Sequence, residues 1–449
     1  MARLDKIFKA YDVRGTVPDE LDADAAYRIG AAFARFAADR EDAARILVAR
    51  DMRPSGVDLA AAFENGATDQ GIDVVDLGLA STDLIYFASG RLDAPGAMFT
   101  ASHNPAQYNG IKFCLSGAKP VGEDTGLAEI RATAEQGVDP AGTKGTVTHQ
   151  DLLEAYADHV VSFVDIAALR PLRVVADTAN GMGGLVAPRV FARLPFELEI
   201  LYPELDGTFP NHPADPIQPE NLVDLQRRVL DTKADIGLAF DGDADRVFLV
   251  DEKAQLIPGS TTTAMVAAAM LEKHPGATIL YNLICSKAVP EIVKERGGTP
   301  VRTRVGHSFI KERMAETGAV FGGEHSGHYY FLDNYRADSG LIAAVVVLEL
   351  LCASGQKLSE VRAPFERYAL SGEINTEVDD PKAVIERVAA HFADGDQDRL
   401  DGLTVDYGDW WFNLRPSNTE PLLRLNLEAP TRDECDAHVA DVLRILKGE

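Results

Sequence analysis

The sequence predicts an α/β protein: three related mixed-sheet α/β domains in series and a C-terminal α+β domain, with a cleft where domains meet. Three observations predict it. At 449 residues the chain is too long for one compact core and has the length of three or four ordinary domains. Three stretches, starting at residues 45–51, 172–177 and 277–282, repeat one layout, in which an apolar strand ends in a polar residue and a loop, a helix and a second strand follow. The second strands fall at about 72–77, 196–202 and 300–305. Strands alternating with helices give parallel or mixed sheets covered on both faces, and the threefold recurrence points to related units. The tail reads differently, as a strand (373–378), a helix (381–392), two strands flanking Arg415 and a closing helix (432–446), which is an α+β order. The expected domains are 1–146, 147–251, 252–366 and 367–449.

Along the chain, Asp22 and Asp24 open a helix that sets Ile29, Phe33, Phe36 and Ala37 on one face, with aspartate as its cap. Prolines and glycines crowd 205–219, a turn region. The longest apolar run, 341–352, carries Glu349 and is too short to span a bilayer, so it is expected as a buried helix. Residues 1–12 mix Arg3, Asp5, Lys6 and Lys9 with apolar residues and lack the unbroken hydrophobic core of a secretory signal. These features predict a cytoplasmic protein without a membrane span.

Apolar residues make up 46% and charged residues 25%, an ordinary balance that supplies a buried core. Cys114, Cys285, Cys352 and Cys435 are widely scattered, which argues against zinc or a redox dithiol and places them in the core. Lysine and arginine number 44 against 70 acidic residues, a net charge of −26. Such a field repels nucleic acid and anionic membranes, so neither is expected as a partner, and any phosphate must be held by local cations.

Four motifs carry chemistry. The first, Thr100-Ala-Ser-His-Asn-Pro105 followed by Tyr108-Asn-Gly-Ile-Lys112, lies between apolar strands at 97–99 and 111–115. A serine at a strand-to-loop transition is held rigidly yet reachable, as a nucleophile or phosphate carrier must be. The alternative is a polar turn in which Ser102 and Asn104 cap backbone groups. No Gly-x-Ser-x-Gly elbow surrounds Ser102, which argues against acyl transfer.

The second motif, Asp241-Gly-Asp-Ala-Asp-Arg246, sits between strands at 235–240 and 247–251. Three carboxylates at alternate positions curl around one hard cation, and magnesium accepts a few carboxylates while keeping sites for water or phosphate oxygen. A calcium loop would need glycine where Arg246 stands, and helical flanks. Left uncompensated, the three charges would repel one another, which disfavours a merely structural turn. A phosphoryl group on Ser102 would complete the coordination of such a cation.

The third motif is Gly322-Gly-Glu-His-Ser-Gly-His328. Its glycines admit close backbone approach, Glu324 and Ser326 offer acceptors for sugar hydroxyls, and His328 can move protons near neutral pH; a Gly-rich hairpin is the alternative. In the fourth, Arg415-Pro-Ser-Asn-Thr-Glu-Pro421, arginine supplies a bidentate fork for phosphate while Ser417, Asn418 and Thr419 donate to its remaining oxygens. An ordinary polar turn is the alternative there.

Occurring together in this order, and with Ala10-Tyr-Asp-Val-Arg-Gly15 near the start, these motifs make the chain resemble the α-D-phosphohexomutase superfamily over essentially its whole length, in its bacterial phosphomannomutase/phosphoglucomutase branch. The resemblance implies four domains around a central cleft, each giving one loop. It implies that Ser102 is phosphorylated and shares Mg2+ with Asp241, Asp243 and Asp245, and it places Arg14, His103, Lys112 and His328 in the catalytic group. Lys112 and His328 are the candidates for proton transfer. Substrate contacts are expected from Tyr11, Arg246, Lys287, Gly306, His307, Glu324, Ser326, His328, Arg415, Ser417, Asn418 and Thr419. The implied reaction interconverts hexose 1-phosphate and hexose 6-phosphate through a bound hexose 1,6-bisphosphate, which also serves as activator or primer. The implied assembly is a monomer or homodimer.

The form of the sugar loop is similar to that of phosphomannomutases and of enzymes acting on both mannose and glucose, with phosphoglucosamine mutase as the alternative within the family. A haloacid-dehalogenase-type phosphatase with Asp241 as nucleophile would also place an Asp-x-Asp pair after an apolar strand, but it leaves the Ser102, sugar and clamp motifs unexplained. A sugar-phosphate sensor without turnover is a third reading.

Overall fold

The structure, a computed structural model, describes residues 4–416 and 422–448. Arg45–Arg50 pairs parallel with Asp73–Leu79 on one side and Gly96–Phe99 on the other, and Tyr108–Leu115 returns antiparallel beside Gly96–Phe99. The second sheet repeats that order with Arg173–Asp177, Glu197–Leu201, Ile236–Phe240 and Val247–Asp251. The third repeats it with Thr278–Asn282, Thr299–Thr303, Phe321–Gly323 and Tyr329–Phe331. The recurrence in the sequence is therefore a recurrence of topology. In every case the turn between the third strand and its antiparallel neighbour carries a motif: 100–107, 241–246 and 324–328.

Edge strands extend this common frame. Val13–Thr16 and Lys119–Pro120 both pair with Tyr108–Leu115, Val147–His149 adds to Asp73–Leu79, and Leu256–Ile257 adds to Val247–Asp251. Two of these strands lie past the expected limits, Val147–His149 past 146 and Leu256–Ile257 past 251, and each pairs with the preceding sheet. Strands of two or three residues are too short to show a side-chain period, so backbone pairing alone defines them.

The C-terminal sheet is antiparallel, in the order Ala369–Glu377, Leu422–Ala429, Trp411–Pro416, Leu403–Asp406, Asp396–Asp398. The helices Pro381–His391 and Arg432–Lys447 accompany it. The chain is thus three mixed-sheet α/β units followed by an α+β unit. Helix Ala23–Glu41 begins at Asp22, whose side chain accepts from the Ala25 amide at 2.8 Å, and buries Ile29, Phe33, Phe36 and Ala37. The apolar run forms helix Gly340–Ser354, buried through Leu348. Among the described residues no single helix is long and apolar enough to cross a membrane, and all four cysteines are buried and unpaired. One apolar core runs through the first three units, while the C-terminal unit packs around a core of its own.

Candidate active site

Ser102 lies in the turn after Gly96–Phe99 with a left-handed backbone, φ 49°, a conformation a non-glycine residue keeps only where its surroundings fix it. Those surroundings are explicit. The fully buried Arg53 guanidinium donates to four carbonyls of the loop, Ser102 at 2.9 Å, Asn104 at 2.6 Å, Pro105 at 2.8 Å and Tyr108 at 3.0 Å, and is itself steadied by Asp51 at 3.2 Å. Arg14 also donates to Asn104 Oδ1 at 2.5 Å and pairs with Asp12. The loop is therefore held by two arginines, and its serine hydroxyl donates to Asp241 Oδ2 at 2.8 Å, with His103 Nδ1 at 3.3 Å. Burial, reinforced by Arg246 and Arg14, pushes His103 well below the usual histidine range, so its imidazole is neutral at pH 7.

Asp241, Asp243 and Asp245 are all buried. The Lys112 ammonium bridges Asp243 Oδ2 at 2.8 Å and Asp245 Oδ2 at 2.7 Å, and Arg246 Nε donates to Asp241 Oδ2 at 2.9 Å. Burial works against a charged Lys112, but Asp243 and Asp245 outweigh it and hold the lysine well above its ordinary range. Burial also raises Asp241, against the pull of Arg246, and raises Asp245 together with the neighbouring Asp243 charge. Asp243 goes the other way, because Lys112 and the Thr82 hydroxyl outweigh its burial.

Two buried carboxylate oxygens, Asp243 Oδ1 and Asp245 Oδ1, have no hydrogen-bond partner among the described residues, and one oxygen from each of the three aspartates lies within 4.8 Å of the others. A buried, unpaired carboxylate oxygen is costly, and a hard divalent cation is the ligand that would satisfy both. The residues present fit such an ion.

The third loop meets the second through a backbone bridge between Arg246 and His328. His328 Nε2 stands 3.7 Å from Asp245 Oδ1, and its Nδ1 is 3.0 Å from Ser326 Oγ. Glu324 is buried and accepts from Tyr330 Oη at 2.6 Å, Asn282 Nδ2 at 3.0 Å and the Gly306 amide at 3.2 Å. Gly306 adopts φ +127° just before helix His307–Thr317, and the Tyr11 ring packs 3.5 Å from where a Cβ would sit. His307 opens that helix; its side chain lies outside the description.

Ser102, His103, Lys112, Arg14, the three aspartates, Arg246, Glu324, Ser326 and His328 are thus brought together from three units. Lys287 is not among them: its ammonium donates to Asp406 Oδ1 at 2.6 Å and the Gly408 carbonyl at 2.7 Å, tying the third unit to the fourth. Arg415 lies at the end of its strand, paired with Glu373 at 3.1 Å, which also holds Arg424 at 3.4 Å. Ser417, Asn418 and Thr419 fall outside the described residues.

Sequence reasoning missed Arg53, Thr82, Asn282 and Tyr330. A signal for two of them was present, since the polar residues ending two of the three repeated strands meet the site: Asp51 steadies Arg53, and Asn282 holds Glu324. Thr82 and Tyr330 carry no such mark.

Family models for phosphoglucomutase/phosphomannomutase match four consecutive pieces: the α/β/α domains I, II and III over 5–139, 154–255 and 258–368, and the C-terminal domain over 373–445. A phosphomannomutase of Salmonella montevideo is 43% identical over 434 residues, covering 94% of both chains. A protein of Xanthomonas campestris pv. campestris named phosphohexose mutases is 40% identical, covering 98% of this chain and 99% of its own. The crystal structure of a phosphoglucomutase/phosphomannomutase family protein from Burkholderia thailandensis superposes with a TM-score of 0.90 at 35% identity, over 100% of this chain and 98% of that one. The chain belongs to the phosphoglucomutase/phosphomannomutase family, with all four of its domains in order.

Proposed function

We propose that the protein is a phosphohexomutase that interconverts mannose 1-phosphate and mannose 6-phosphate, and the corresponding glucose phosphates, through phospho-Ser102. The observation that carries the reading is the placement of Ser102 Oγ, 2.8 Å from Asp241 Oδ2 and beside two buried carboxylate oxygens that lack partners. The mannose preference rests on relatives named phosphomannomutase and on the form of the sugar loop.

Phospho-Ser102 gives its phosphoryl group to the free hydroxyl of the bound hexose phosphate. The bond from phosphorus to Ser102 Oγ breaks as a bond to the sugar oxygen forms, and the hydroxyl proton passes to His328, the candidate base left once Asp243 and Asp245 hold Lys112 as a charged ammonium. The product is hexose 1,6-bisphosphate, which reorients in the cleft and returns its other phosphoryl group to Ser102. Glu324 and Ser326 accept from sugar hydroxyls in both orientations, and Arg415 with residues 417–419 holds the phosphate that is not reacting. Asp241, Asp243 and Asp245 hold Mg2+, which supplies positive charge against the phosphoryl oxygens. Lys112 and Arg246 supply further fixed positive charge at the same place. Hexose 1,6-bisphosphate serves as primer, the protein acts in the cytoplasm as a monomer or homodimer, and its net charge of −26 keeps it from nucleic acid.

The test is Ser102→Ala, assayed for mannose 1-phosphate turnover with a trace of bisphosphate, alongside intact-mass measurement of the parent. The variant should fold and lose mutase activity, and the primed parent should carry one phosphate at Ser102. Substantial turnover by the variant would reject the mechanism. An aspartyl phosphate, recognised by its lability to hydroxylamine, would favour Asp241 as nucleophile instead. Glucosamine 1-phosphate turned over faster than mannose 1-phosphate would move the assignment within the family.

A further inference from the structure

We propose that Thr82, in the first domain, is a positioning residue for the cation held by the second: it selects which oxygen of Asp243 faces the ion. The inference rests on the reading that Asp241, Asp243 and Asp245 hold a divalent cation.

Asp243 presents two chemically equivalent oxygens, and a carboxylate turns freely between two-fold related positions unless its neighbours distinguish them. Here they do. Oδ2 accepts from Thr82 Oγ1 at 2.6 Å and from Lys112 Nζ at 2.8 Å, whereas Oδ1 is buried with no partner among the described residues. The two donors occupy Oδ2, so Oδ1 is the oxygen left for a metal. The Thr82 amide also donates to the Asp243 carbonyl at 3.1 Å, which fixes the backbone from which the carboxylate hangs. Among the described residues Asp245 has no equivalent hydroxyl, and its Oδ2 takes only Lys112.

Thr82 is itself rigid. It is fully buried at the start of helix Thr82–Leu92. The adjacent Asp83 carboxylate accepts from Ser81, from Tyr156 of the second domain and from Ser339 of the third, the last at 2.7 Å. Partners that orient a metal ligand by hydrogen bonding govern affinity nearly as strongly as the ligands do, and removing one typically costs about 10–100-fold.

The experiment measures Mn2+ affinity by electron paramagnetic resonance on the full-length, metal-free, dephosphorylated protein. Thr82→Val keeps the shape of the side chain and deletes the hydroxyl, Thr82→Ala deletes it a second way should valine disturb folding, and Thr82→Ser restores it. The hydroxyl-less variants should bind Mn2+ roughly 10–100-fold more weakly than the parent, and the serine variant within about threefold. In turnover, added metal should recover kcat of the valine variant while KM for hexose phosphate stays at the parent value. Parent-like Mn2+ affinity in the folded valine or alanine variant would overturn the inference, as would a serine variant as weak as valine, since packing would then be the cause. A parent that binds no Mn2+ would instead remove the cation reading on which the inference stands.

Discussion

Both oxygens of Glu324 are already engaged: Tyr330 Oη bonds one, and Asn282 Nδ2 with the Gly306 amide bonds the other. Each carboxylate oxygen has two acceptor sites, so three donors leave little freedom and fix the direction of the remaining lone pair. A sugar hydroxyl donating to Glu324 therefore meets a carboxylate that need not reorganise, which is where binding energy is saved. Tyr330 is fully buried, and Tyr330→Phe removes one hydrogen bond to a buried acid while keeping the ring. Such bonds contribute about 1.5–3 kcal/mol. The variant should retain the fold and lose roughly tenfold or more in kcat/KM for mannose 1-phosphate, read mainly as a higher KM. Steady-state kinetics with thermal melting would check this, and unchanged kcat/KM would show that Glu324 is oriented without Tyr330.

At the scale of elements, three motifs occupy the same place, the turn from a sheet's third strand into its antiparallel neighbour. That turn extends beyond the last parallel strand, where backbone is free to approach another domain. One such approach is at Gly242, where an added Cβ would lie 2.4 Å from the Ser102 carbonyl oxygen. Gly242→Ala must therefore separate the metal loop from the serine loop. A displacement of about 1 Å at a reacting centre costs on the order of 100-fold in rate, so kcat should fall that far while circular dichroism remains parent-like. A kcat within a few-fold of the parent would mean the loops have slack. The motifs and the three strand pairs were legible in the sequence because apolar runs, polar strand ends and clustered aspartates are local patterns. The edge strands Val147–His149 and Leu256–Ile257 were not, because two or three residues show no period. Thr82 was invisible for another reason: its partner Asp243 is distant in sequence, and nothing local marks a threonine for such a contact. Nothing local marks the contact Lys287 makes either, since a half-buried lysine reads alike in sequence whether it meets substrate or Asp406.

At the scale of the whole molecule, the first three domains share one core, and the Asp83 carboxyl bonds to all three. Asp83 of the first domain accepts hydroxyls from Ser81 beside it, Tyr156 of the second domain and Ser339 of the third. Full burial pushes its pKa from 3.8 up to about 7, although the three hydroxyls pull it back and Asp245 adds to the rise. Between pH 4 and pH 7 the native protein then keeps a proton on Asp83 that the unfolded chain has released. Because the folded state binds more protons in that window, the contribution of Asp83 to stability is fully present below about pH 4, falls as pH rises, and levels off above about pH 7. Asp83→Asn cannot ionise and should escape that loss. The stability of the variant relative to the parent should therefore rise with pH across the window, by at most roughly 1.4 kcal/mol per pH unit. Other buried acids shift in the same direction in both proteins, so the difference between the two isolates Asp83. Urea midpoints of both proteins at pH 4.5, 6 and 7.5 would show converging or diverging curves, and parallel ones would mean that Asp83 is ionised at the junction throughout, held by its three hydroxyls against burial.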